Sequence, residues 1–278
     1  MKKQATPYIG VSCVREKDEI NTKEICDLMD VSLERKVMIG TASSLKTIGG
    51  LPVNKSERSA FMSELPTLFT DHPLAFNIIH HNAKGRELET LGEQLKLLSE
   101  FAGPNLHGFQ LNIFDQDINI IRDVREFNPK LKFILNVGQN TLISCNNDPE
   151  IMSAYFNILY KDMIDYALLD LSGVLGKLIE PERLKPFIEH LSKDCPWLSL
   201  CIAGRLGPDN LNLIAPLLRD FPNIPIDAET ALRDPETDKL SADRVRRYMR
   251  NSQAIIKNLG LFHPNSPIGH DFDIGGEG

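Results

Sequence analysis

The feature that most restricts this chain is a repeated alternation. Eight short, β-prone apolar runs follow one another, at 8–14 (YIGVSCV), 37–41, 74–80, 107–113, 131–137, 165–171, 197–203 and 224–228. They are mostly apolar throughout rather than strictly alternating, as expected of parallel strands covered on both faces. A helical pattern follows each run, and the repeat of roughly thirty residues suits a βαβ unit.

The helix starts carry their own signals. Asn21 and Thr22 are placed to cap a first helix bearing Ile25, Leu28 and Met29 on one face. The second is expected over 55–69, and the third over 86–101 with leucines at helical spacing. The fourth carries Ile118, Ile121 and Val124 and ends at Asn128-Pro129. Asp148-Pro149 opens the fifth with a cap and a proline at its first position. Glu180-Pro181 and Gly207-Pro208-Asp209 open the sixth and seventh in the same way, and 241–258 is the last.

Eight such units favour a closed α/β structure, a single (β/α)8 TIM barrel over residues 1–259. The competing open sheet commonly carries Gly-x-Gly-x-x-Gly after its first strand, and no such motif occurs here. The chain shows no internal domain boundary, and the Gly- and Pro-rich tail 260–278 reads as a strap or a disordered end.

Composition narrows the partners. No apolar run approaches the ~18 residues that cross a bilayer, and the first residues lack the apolar stretch of a secretory signal. A net charge of −7 disfavours nucleic acid, whose phosphates need a basic surface. Five cysteines without a C-x-x-C pair argue against a disulfide framework or a structural zinc site. The expectation is a cytoplasmic protein acting on a small molecule, with neither nucleic acid nor membrane as partner and the oligomeric state left open.

In such barrels the chemistry sits at the C-terminal ends of the strands. That rule selects Ser12 and Cys13, then Thr41, Ser43 and Ser44, then His80, His81 and Asn82, then Gln110, Asn112 and Asp115, then Asn136 and Gln139, then Asp170, Ser172 and Lys177, and finally Arg205, Asp227 and Glu229. Adjacent strand residues face opposite ways, so only one of His80 and His81 enters the barrel. A metal site there would need Asp170, Asp227 or Glu229 as well, and no metal-binding spacing supports one.

Several segments resemble one family. Leu168-Leu169-Asp170 with the Ser172–Lys177 loop is similar to the sixth-strand segment of phosphoribosylanthranilate isomerases, barrel enzymes of tryptophan biosynthesis. Residues 202–210 (IAGRLGPDN) resemble the family's LAGGL-x-PEN, Phe109-Gln110-Leu111-Asn112 its VQLHG, and the strand end at Asn82 its VFVN. The resemblance implies an aldose–ketose (Amadori-type) isomerisation that uses no metal or organic cofactor. It implies Asp170 as general acid. It also implies a general base at the end of the first strand: Cys13 if the strands are aligned, or the position of Ser12 if the motif is matched without gaps. Asn82, Gln110, Asn112, Lys177, Gly204, Arg205, Asp227 and Glu229 are then the expected substrate contacts.

The family's phosphate site is altered here. Its glycine-rich turns after strands seven and eight bring backbone N–H groups onto the anion. Arg205 replaces one glycine of the first turn, and the second reads Asp227-Ala228-Glu229-Thr230-Ala231, with no glycine. The family's second-strand SPR is replaced by Thr41-Ala42-Ser43-Ser44. Arg205 either clamps an anion or pairs with Glu229 or Asp227 and blocks the site. Weak binding of phosphoribosyl substrates is therefore expected, and the competing reading is a barrel that lacks isomerase activity and binds a different, unphosphorylated molecule or a protein partner.

Overall fold

The computed structural model describes residues 5–51, 58–112, 118–170 and 178–260. Its eight strands are β1 (Tyr8–Val11), β2 (Lys36–Ser44), β3 (Ala75–Asn82), β4 (Gly108–Leu111), β5 (Lys132–Val137), β6 (Tyr166–Leu169), β7 (Ser199–Ile202) and β8 (Ile226–Ala228). Each pairs in parallel with the next, and β8 returns to β1, so the sheet is a closed (β/α)8 TIM barrel. All eight expected strands are present, most of them shorter than the apolar runs that signalled them. The register is uneven around the ring. β2 and β3 pair over eight residues, from Val37↔Ala75 to Ser44↔Asn82, whereas β7 meets β8 at Ile202↔Ile226 alone.

Why the strands do not alternate is now plain. Outward side chains such as Ile9, Val11, Ile39, Ile79, Phe133 and Leu169 join the main core beneath the helices. Inward ones form a second apolar cluster: Tyr8, Met38, Phe76, Ile78, Ile134, Tyr166, Leu168 and Cys201. Both faces are buried, so both are apolar. The inner cluster is layered. Tyr8, Phe76 and Tyr166 plug the N-terminal end, their ring centroids 5.6–5.7 Å apart. Nearer the C-terminal end the inward positions are mostly polar, among them Ser12, His80, Gln110, Asn136, Asp170 and Asp227.

Two of the expected helix starts are capped by their side chains, whereas Glu180 precedes the helix Pro181–Asp194 without a side-chain cap bond. Asn21 accepts from the Glu24 N–H to start the helix Thr22–Asp27, and Asp148 accepts from Glu150 and Ile151 ahead of Pro149–Tyr155. The helix expected over 55–69 differs. Its start falls partly outside the described residues, Ser59 makes a β-bridge with Ala42, and helical turns begin only at Met62. A backbone committed to the β2 edge cannot also enter a helix. The expected third helix begins as a 3-10 segment, Gly85–Thr90, before Leu91–Ala102. The seventh starts later than its Gly-Pro-Asp signal, as a 3-10 turn at Leu211–Ile214 followed by Ala215–Asp220. Here Asn210 bonds the Gly207 N–H and the Arg205 carbonyl and holds the preceding turn instead. The last helix, Ala242–Gly260, matches expectation, and the tail 261–278 lies outside the described residues. No helix among the described residues is long and apolar enough to cross a membrane.

Candidate active site

The pleat decides which strand-end residues enter the mouth. On β1, Tyr8 and Gly10 point inward, and Ser12, just past the strand end at Val11, continues that row toward Asp227. Ser12 is buried, and its hydroxyl donates to Asp227 Oδ1 at 2.5 Å. Asp227 points inward from β8, itself buried. Burial first, with the nearby negative charges of Glu229 and Asp170 adding to it, raises its carboxyl to about 7, although the Ser12 hydrogen bond works the other way. A carboxyl group titrating there can both give and take a proton in neutral solution.

Two inward glycines make room for this arrangement. A methyl group at Gly10 would lie 2.6 Å from Asp227 Oδ1 and 2.8 Å from Met38 Cε. One at Gly40, on β2, would lie 2.5 Å from His80 Nε2 and 3.1 Å from Ser12 Oγ. Carboxylate, hydroxyl and imidazole therefore converge over two bare stretches of backbone, a packing no residue with a Cβ permits.

His80 enters the mouth and His81 does not. His81 faces the helices, where its Nε2 meets Gln94 Oε1 at 2.8 Å. His80 is 9% exposed, and burial pushes its pKa down to about 4, so the ring is neutral at pH 7. Its registered neighbour on β4 is Gln110, and Gln110 is in turn opposite Ile134 of β5. Asn136 stands two residues further along β5, one layer nearer the mouth. His80 Nε2, Gln110 Oε1 and Asn136 Oδ1 are buried atoms without a hydrogen-bond partner. Above them, Asn112 Nδ2 reaches Asn82 Oδ1 at 3.3 Å, and both of these residues are exposed on the rim. Among the described residues, no group of three or more His, Cys, Asp and Glu side chains is disposed to hold a metal ion.

Cys13 occupies a different environment from the one its expected role requires. Its φ is 59°, the left-handed region that side chains seldom adopt. The Arg233 guanidinium donates to its carbonyl and Val14 N–H bonds Gly40, which together hold the turn. The thiol is buried, and burial followed by the Glu229 charge pushes its pKa well above the usual thiol range. In this conformation it is a protonated thiol at neutral pH, and Ser12 rather than Cys13 continues the inward row.

Glu229 is held by an arginine that the sequence reading passed over. Arg58 lies 2.7 Å from Glu229 Oε1 and 2.9 Å from Asp238. Arg15 and Arg233 approach Asp18 at 3.5 and 3.8 Å, and Arg15 reaches Asp238 at 3.6 Å. Three cations and three carboxylates thus tie together the loops after β1, β2 and β8. Nothing in the sequence links position 58 to position 229; only barrel closure makes them neighbours.

The turn after β7 keeps one glycine and has positive φ both there and at the residue that follows it. Gly204 has φ 136° and Arg205 has φ 54°. The residue that replaces a glycine in the resembled motif therefore carries the left-handed conformation itself. Arg205 is exposed, and its carbonyl accepts from Asn210 Nδ2. Gly207 packs on the next turn so closely that an added methyl would stand 2.6 Å from Ala231 Cβ. Asp170, half-buried at the end of β6, donates its N–H to the Val137 carbonyl. Asp115, Lys177 and the loop from Ser172 lie outside the described residues.

No protein-family model matches the chain, and no curated protein matches it by sequence. Solved structures do. The phosphoribosyl anthranilate isomerase of Thermus thermophilus is 14% identical, covering 89% of this chain and 99% of that one, with a TM-score of 0.59. The tryptophan synthase alpha chain of Legionella pneumophila is 14% identical over 93% of each chain, with a TM-score of 0.51. A chitinase domain of Pyrococcus furiosus is 12% identical over 92% and 97%, also at 0.51. Proteins this unlike in name share the architecture at these identities, so the likeness is one of fold: this chain is built on a barrel like that of the phosphoribosyl anthranilate isomerases.

Proposed function

We propose that this barrel catalyses acid–base aldose–ketose isomerisation of a small, unphosphorylated sugar-derived substrate. The observation that carries the reading is the buried Ser12–Asp227 pair, set in the mouth over Gly10. The isomerisation needs one group that removes a proton from the carbon beside a carbonyl and returns a proton to the product. When the C2–H bond breaks, its electrons form a C1–C2 double bond, and the carbonyl oxygen takes up a proton. Loss of the O2 proton and protonation of C1 then complete the ketose. One proton leaves and one enters at each half of the reaction, so the composition is unchanged. Asp227, titrating near 7, is suited to carry that proton. Ser12 orients its carboxyl, and Asp170 keeps the role the sequence resemblance implies, the acid that opens a closed sugar ring. Cys13 is not used.

The absence of phosphate from the substrate is supported by the altered turns. The Arg58–Glu229 ion pair stands after β8. A phosphate there would face the Glu229 carboxylate and compete with it for the cation.

The test is proton exchange in D2O, followed by NMR, with unphosphorylated aldoses and aminoaldoses and their 5-phosphates, alongside titration with a reduced phosphoribosylanthranilate analogue. Deuterium should enter C2 of at least one unphosphorylated sugar, and Asp227→Asn should slow this by about 10²–10⁴. No exchange with any sugar would refute the isomerase reading. Exchange confined to the phosphates, with micromolar binding of the analogue, would refute the substrate assignment.

A further inference from the structure

The acid–base groups line one side of the mouth, on β1, β6 and β8. Round the ring past Ser12, the inward strand residues His80, Gln110 and Asn136 of β3, β4 and β5 carry no charge at neutral pH and have no role in the proton transfer just described. They nevertheless hold three buried polar atoms without partners: His80 Nε2, Gln110 Oε1 and Asn136 Oδ1. Buried polar atoms in folded proteins are almost always paired, and an unmatched group destabilises the fold that contains it. Three of them on adjacent strands, all on inward positions, leave hydrogen-bonding capacity beneath the rim that the fold itself does not satisfy.

The chemistry of the three atoms restricts what can satisfy it. Two are amide oxygens and accept hydrogen bonds. The third belongs to a neutral imidazole, which donates or accepts according to its tautomer. A phosphate or carboxylate offers only acceptors and would meet two carbonyl oxygens. A hydroxyl group both donates and accepts, and so suits all three positions. The row is also stepped. His80 and Gln110 are opposite each other in register, while Asn136 lies one inward layer nearer the opening. A chain of several hydroxyls lying across the three strands would meet them in turn, beneath the Asn82–Asn112 pair at the rim.

We propose that His80, Gln110 and Asn136 form a binding wall that reads the hydroxyl groups of a neutral polyol chain, and so fixes which end of the substrate faces Asp227. The inference deepens the isomerase reading by naming how the non-reacting part of that substrate is held. It does not need the chemistry to be correct, because an alditol has the hydroxyls and no carbonyl.

The experiment uses alditols as inert probes. Ribitol, xylitol and glucitol are titrated against the full chain by calorimetry and ligand-observed NMR, with pentane-1,5-diol and ribitol 5-phosphate as comparisons. At least one alditol should bind, the diol should not, and the phosphate should bind more weakly than ribitol. Gln110→Met and Asn136→Leu keep the side-chain size and delete the acceptor. Each should weaken alditol binding by about tenfold. Because each also removes an unmatched buried atom, neither should lower the melting temperature of the ligand-free chain. A fall in melting temperature would mean that the side chains serve the fold, and would overturn the proposal. So would the absence of alditol binding, or unchanged affinity in both variants.

The two readings fail separately. Alditol binding that needs Gln110 and Asn136, without exchange of any aldose, would leave the wall standing and remove the isomerase. Exchange of an aldose with a KM unaffected by either substitution would do the reverse.

Discussion

Replacing Asp227 by asparagine isolates the cost of keeping a carboxyl group in the barrel. The amide keeps the shape of the side chain, and its oxygen can still accept from the Ser12 hydroxyl, which lies 2.5 Å from Oδ1 in the native chain. It has no charge at any pH. In the native chain the carboxyl is raised from an ordinary 3.8 to about 7, chiefly because burial disfavours the charged form. Between those two values the folded chain retains a proton that the unfolded chain has released, so its stability falls as pH rises through the window. Below 3.8 both states are protonated; above 7 both are ionised and the whole cost is present. About three pKa units at 1.36 kcal/mol each give a cost of about 4 kcal/mol. At ~2–4 °C per kcal/mol for a domain of this size, that is about 10 °C in Tm. The variant should therefore gain on the native chain by up to that amount as pH goes from about 4 to about 8. Urea and thermal unfolding of both proteins across this range measure it. The comparison cancels the opposite trend from His80, whose depressed pKa makes stability rise with pH between about 4 and the ordinary 6.5. Parallel stability profiles for the two proteins would show that Asp227 titrates as an ordinary carboxyl, and the proton carrier proposed above would be lost with it.

Three further outcomes follow from the same geometry. Cys13 should react slowly with iodoacetamide in the native chain at neutral pH and rapidly after unfolding, as burial and the Glu229 charge require; fast native labelling, located by mass spectrometry, would restore it as a candidate base. Gly40→Ala should cost about 1–3 kcal/mol in urea unfolding, because the added methyl meets His80 Nε2 and Ser12 Oγ; an unchanged midpoint would place His80 elsewhere. Arg58→Met should leave Glu229 without its cation and drive the Asp227 titration upward, since Glu229 already raises it; carbon-detected NMR titration of the Asp227 carboxyl reads the shift directly, and a fixed midpoint would mean the two carboxylates do not sense each other.

The architecture was legible because it repeats. Eight apolar runs, each with a capped helix after it, leave few topologies open, and residues such as Asn21 and Asp148 mark their helix starts through local hydrogen bonds. The strand-end rule also picked out Asp227, Gln110, Asn136 and His80, because parity along a strand is a local property. What resisted reading depends on closure. Whether Ser12 or Cys13 faces the mouth turns on a left-handed backbone at Cys13, a conformation that no sequence signal for a cysteine announces. Arg58 became a partner of Glu229 only when β2 and β8 were brought round to flank β1. The need for glycine at positions 10 and 40 is visible only once Asp227 and His80 lie across them.

The uneven register of the barrel has a consequence for how the mouth moves. β2 and β3 are joined over eight residues, but β8 is three residues long and meets β7 at a single pair. Local opening in proteins costs least where the fewest backbone bonds must break. Amide hydrogens around β8 should therefore exchange with solvent well before those of β3. β8 carries Asp227, while His80 sits on the most firmly joined strand. A molecule held against the firm side would then rest on backbone that opens late, while the strand that carries the carboxyl group opens early beside it.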